Sequence, residues 1–233
     1  MSINKILDHD VDVIKDQLDG LIKKVEKQYN DTYQALTKKD YKLAQKVVDN
    51  DKKINEQQNE FISTVLWKIA KQNMVAGDLR FAIGSVLIAR EIRKIASYAK
   101  AVSYFVLDYE PDIKYTEIIE QNFDIVLQML DLINNLIDRS DVDLSKKVEG
   151  FEEEVNQAFV QTRSKIIDRM RHSESDQEAL LLYTSLRQLK KLERAADHMV
   201  GIQEILNFIR TGKFQEISPR DDEGDDVLDE TQD

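Results

Sequence analysis

Apolar residues recur at steps of three and four along almost the whole chain, as in Ile62, Val65, Leu66 and Ile69, or Ile125, Leu127, Leu130, Ile133, Leu136 and Ile137. That spacing matches a helix of 3.6 residues per turn and no other regular structure. The pattern breaks at Thr37–Asp40, Gln72–Gly77, Asp108–Asp112, Arg139–Asp143 and His172–Asp176. These breaks carry stop and start chemistry. Asp40, Asp112, Ser140 and Asp176 are suited to cap the helix that follows, Pro111 cannot continue the one before it, and Gly212 suits a C-terminal stop. Six helices are expected, over 3–36, 41–71, 76–107, 113–138, 142–171 and 176–210. At roughly 30 residues each they span about 45 Å. Such lengths suit a bundle and exceed the units of helix-pair solenoids.

The two halves resemble each other. Asp51-Lys52-Lys53-Ile54-Asn55 returns as Glu152-Glu153-Glu154-Val155-Asn156, and Ile95-Ala96-Ser97-Tyr98-Ala99 returns as Ala195-Ala196-Asp197-His198-Met199. Both echoes are offset by about 100 residues and fall in the second and third helix of each half. The fold class expected is all-α, with six long helices forming two pseudo-symmetric three-helix bundles. The expected division is 1–110, 111–212 and an acidic tail, 213–233.

Composition sharpens this picture. Only 7 glycines and 2 prolines occur in 233 residues, too few to punctuate a barrel or sandwich of many short strands. Cysteine is absent, which excludes disulfides, thiolate metal sites and a cysteine nucleophile. The N-terminus reaches charge too early for a signal peptide, and no uncharged apolar stretch of about 18 residues occurs. A cytoplasmic protein without direct membrane insertion is expected. The net charge of −11 argues against nucleic acid as a partner. From Ser218 to Asp233 eight acidic residues stand against Arg220 alone, so this segment holds −7 of that charge. So acidic and so poor in apolar residues, the tail is expected to be disordered.

The candidate chemistry lies on the last helix. Its apolar stripe can be traced through Leu182, Leu186, Leu189, Ala196 and Val200, interrupted by Glu193 and Asp197. Two carboxylates at i and i+4 repel each other unless a positive charge lies beside them. One remedy is a metal ion held by Glu193 and Asp197 with Glu149, Glu152 and Glu153 from the fifth helix, since hard oxygen ligands suit cations. The other is a salt-bridge network with Arg187, Lys190, Lys191 or Arg194, and the run Glu152–Glu154 is then a solvated face. The first-half equivalents are Arg93 and Ser97, so any metal belongs to the second half. His9, His172 and His198 are the only histidines, and His198 reads as a surface partner of a carboxylate. Trp67 reads as a core residue of the first bundle. No glycine-rich phosphate loop, GxSxG elbow or HExxH motif is present, so no enzyme is expected.

Asp49–Asn55, Ile69–Arg80 and Leu192-Glu193-Arg194-Ala195-Ala196-Asp197-His198 resemble the twice-repeated motifs of the PhoU family of phosphate-signalling proteins. The resemblance covers about residues 5–212. It implies a fold of two three-helix bundles. It also implies a non-enzymatic cytoplasmic regulator of phosphate uptake and the starvation response, with the ATPase subunit of the phosphate transporter and a membrane sensor histidine kinase as partners, recruited through them to the inner face of the membrane. Homodimerisation is left open. The family's Glu-x-x-x-Asp motifs are similar to sites that hold iron or zinc, which here match Glu193 and Asp197 but fail at Arg93 and Ser97. The alternative function is therefore a metal-binding helical protein with one site in the second repeat.

Overall fold

The computed structural model describes residues 3–72, 74–139 and 142–214. Within them the chain forms α1 (Ile3–Lys38), α2 (Tyr41–Gln72), α3 (Ala76–Tyr109), α4 (Ile113–Arg139), α5 (Val142–Arg171) and α6 (Asp176–Thr211). Every expected helix is present, and their ends lie within two residues of the expected ones. The turns show why. Asp40 accepts the Leu43 amide at 3.0 Å, Glu110 takes the left-handed conformation that ends α3 just before Pro111, and Gly212 at φ 76° donates its amide to Phe208 O. The cap of α6 is Ser175 and not Asp176: its hydroxyl accepts the Glu178 amide at 3.2 Å, because Asp176 already has helical geometry. Ser140 lies outside the described residues, as does the acidic segment from 215 onward.

Helices α1, α2 and α3 pack on one another, and so do α4, α5 and α6. The two bundles join through equivalent helices, α3 against α6 and α1 against α4. Among the described residues, helices α2 and α5 touch only their own bundle, which leaves on each an outer face that none of the other described helices covers. On α1, Tyr29 and Tyr33 tilt against Phe123 of α4 at 5.7 and 5.4 Å, aromatic pairs that add to the apolar burial across the join. The Tyr29 hydroxyl, fully buried, donates to Ile95 O of α3 at 3.0 Å. At the other seam, Gly84 of α3 sits under Ile209 of α6, whose side chain occupies the space a Cβ would take. The missing Cβ leaves room for the Ile209 side chain to pack over α3 there.

The open face of α2 corrects the reading of Trp67. Trp67 is 57% exposed, with the Lys71 ammonium 4.4 Å from its ring centroid, while Phe61 and Val65 supply the core from the same helix. Helical spacing puts Trp67 one position off the buried stripe.

Candidate functional site

Helix α6 packs against α3, α4 and α5, so it buries a broad arc instead of one stripe. That arc runs through Leu189, Leu192, Ala195, Ala196 and Met199. Glu193 and Asp197 therefore flank the core, half-buried, and Leu186 is only partly buried. Glu193 lies 2.7 Å from the Lys190 ammonium, which sits over the Phe159 ring of α5. This is the salt-bridge remedy, one turn along the same helix. Glu153 is exposed on α5 and accepts from Gln157 at 3.2 Å. The side chains of Glu149 and Glu152 lie outside the described ones. Among the described residues, no three His, Asp or Glu side chains gather closely enough to hold a metal ion.

The first bundle solves the same electrostatic problem with its own cation. Asp51 of α2 is almost fully buried and receives both terminal nitrogens of Arg93, at 2.9 and 3.1 Å. Lys100 adds a third bond at 3.0 Å, and the Arg93 Nε donates to Asn55 at 3.2 Å. A planar guanidinium matches a carboxylate at both oxygens, so it fixes geometry as well as charge. Ser97 turns its hydroxyl back onto Lys94 O and takes no part. The pairing was partly readable in sequence, since Asp51 and Asn55 at i and i+4 aim two acceptors at one point of α3.

A third cluster joins the bundles. His198 of α6 places Nδ1 2.6 Å from Glu91 Oε2 of α3 and Nε2 3.2 Å from the Tyr98 hydroxyl. A carboxylate only accepts, so Nδ1 carries the proton, and in the neutral ring Nε2 accepts from Tyr98. Burial pushes the Tyr98 phenol above its ordinary value, against the opposing charge and hydrogen bond of Arg194, while Asp197 and Glu91 raise it further. His198 is thus a bridge between the halves, with side-chain exposure of only 13%. It is not a surface partner, because α3 covers it.

The PhoU domain model matches the chain twice, over residues 18–106 and 119–206. The chain belongs to the PhoU family. Among its relatives, a phosphate-specific transport system accessory protein PhoU homolog of Borreliella burgdorferi is 28% identical over 219 residues, 91% of this chain and 97% of that protein. PhoU homolog 1 of Thermotoga maritima is 23% identical over 210 residues, covering 88% and 89%. Among solved structures, the phosphate transport system regulatory protein PhoU of Streptococcus pneumoniae superposes with a TM-score of 0.81 at 21% identity, covering 91% of this chain and all of that one. PhoU of Pseudomonas aeruginosa gives 0.81 at 22%, covering 88% and 99%. These PhoU structures share the six-helix, two-bundle fold of this chain.

Proposed function

We propose that this PhoU-family chain is a non-enzymatic regulator of phosphate uptake and phosphate-starvation signalling, acting as an adaptor to the ATPase subunit of the phosphate transporter and to a sensor histidine kinase. One observation carries the reading: relatives matched over about nine-tenths of their own length are named accessory proteins of the phosphate-specific transport system. The fold suits the role, because rigid helices couple partners by differential binding without turnover. No helix among the described residues is long and apolar enough to cross a membrane. The test is deletion of the gene in the source cell with uptake of labelled phosphate as the readout. The expected result is faster uptake and a starvation response that persists in ample phosphate, with co-purification of the ATPase subunit on the tagged chain. Unchanged uptake in the deletion overturns it.

The alternative remains a metal ion at Glu193 and Asp197 completed by Glu149, Glu152 and Glu153, with iron or zinc as the candidates. Elemental analysis of protein purified without affinity-tag metal, beside the Glu193→Ala/Asp197→Ala variant, decides it. Near-stoichiometric metal lost in the variant supports this reading, and metal-free protein removes it.

A further inference from the structure

Between α1 and α2 lies a cleft of about 230 Å³ whose floor is apolar, formed by Val47 and Ile54. Three lysines line it, Lys24 and Lys27 from α1 and Lys53 from α2. Its one carboxylate, Asp31, is committed to Lys27, which reaches both of its oxygens at 2.7 Å. Lys24 and Lys53 form no ion pair among the described residues, and Lys53 has only a long 3.5 Å contact with Asn50. In a chain of net charge −11, two uncompensated ammonium groups therefore border one concave site.

Gln28 adds a second, independent observation. It lines the same cleft and is 4% exposed. Its amide nitrogen donates to Ala96 O at 3.0 Å, which fixes the orientation of the group and leaves Oε1 without a hydrogen-bond partner. A buried acceptor without a donor is uncommon in folded proteins and calls for an explanation. The cleft is thus lined by two exposed lysines and by a buried glutamine whose Oε1 lacks a donor.

An oxyanion that also carries a hydroxyl complements that arrangement. Hydrogen phosphate has both, and so does a phosphate monoester of a sugar. Sulfate at neutral pH has no O–H to give. We propose that the α1/α2 cleft of the first bundle binds a phosphate-bearing ligand, its anionic oxygens on Lys24 and Lys53 and a hydroxyl directed toward Gln28. Lysine serves as a point charge for phosphate and tolerates several orientations of the group. The site lies apart from the carboxylates of α6, and the inference stands independently of the role in transport.

Calorimetric titration of the full chain at low ionic strength tests it, with inorganic phosphate, adenosine 5′-monophosphate and sulfate as probes. Low salt matters because exposed ammonium groups are screened within about 10 Å at 0.1 M. Saturable binding of phosphate, or of the monophosphate, is expected, with sulfate about tenfold weaker. A response to inorganic phosphate assigns the free ion, and a response to the monophosphate alone assigns an ester. In Lys24→Gln/Lys53→Gln the affinity falls at least about tenfold. Both lysines are exposed and without ion pairs among the described residues, so the variant keeps its melting temperature, which is measured alongside. Absence of binding by both phosphate probes up to about 10 mM, equal binding of sulfate, or unchanged affinity in the variant overturns the proposal. Phosphate binding in a chain whose deletion leaves uptake unchanged counts against the transport role alone.

Discussion

Tyr98 and His198 stack on each other with ring centroids 5.7 Å apart and an interplanar angle of 19°. They are 100 residues apart, the offset that relates the two halves. A residue that touches its own counterpart lies at the axis relating the copies, so this pair marks the pseudo-twofold of the molecule. The other joining contacts agree, since α1 meets α4 and α3 meets α6, first helix with first and third with third.

His198→Ala removes the stacked ring and the bonds to Glu91 and Tyr98, and we expect a loss of about 1–2 kcal/mol in urea unfolding. His198→Phe keeps the ring and recovers part of that loss. Equal stability of wild type and His198→Ala contradicts a role for the bridge in holding the bundles together.

Arg93→Ala leaves Asp51 buried with Lys100 as its remaining cation. The expected cost is about 2 kcal/mol, short of the roughly 3–5 kcal/mol for a wholly uncompensated buried charge. Arg93→Lys costs less but does not restore the wild type, because one ammonium cannot bond both oxygens as the guanidinium does. The Asp51→Ala/Arg93→Ala double variant loses less than the sum of the single changes. Additive losses argue against direct coupling.

At Gly84 the helix preference for alanine, roughly 0.8–1.0 kcal/mol, opposes the crowding by Ile209. Gly84→Ala is therefore close to neutral as the Ile209 side chain gives way. Gly84→Leu overpacks the α3/α6 seam and costs about 1–3 kcal/mol. Thermal unfolding of the two variants reads the difference, and a fully stable Gly84→Leu means the seam is looser than described.

Asp10 of α1 is ion-paired with Lys68 and accepts from Gln72 at 2.6 Å. The hydrogen bond from Lys68 holds its carboxyl below the ordinary range, against the opposing effect of burial. A lowered folded-state pKa means the unfolded chain takes up its proton first. The pair's contribution is complete above the ordinary carboxylate pKa and is lost as pH falls through the lowered folded value. Stability of wild type relative to Asp10→Asn is expected to be constant from about pH 7 to 5 and to shrink below about pH 4. Urea unfolding across that range checks it, and a gap that does not narrow in acid contradicts it.

The helices were legible because their amphipathic period and their stop chemistry agree: Asp40, Pro111 and Gly212 each do in space what their residue type suggests. Less legible was the face α6 buries. A helix with three neighbours has no single apolar stripe, so Glu193 and Asp197 were traced as interruptions of a core that passes beside them. Trp67 was misplaced for the converse reason, since α2 has neighbours on one side only and its bulkiest residue lies off that side. The Glu91–His198 pair was hidden because it joins residues 107 apart, and no local pattern reports a contact between halves. The Asp51–Arg93 pair lay closer to view, its acceptors already spaced for a single partner.

A guanidinium joined to the backbone by its own side chain has no dissociation constant. The ion that balances Asp51 is supplied at translation, present once per molecule, and indifferent to chelators, to dilution and to the mineral content of the cell.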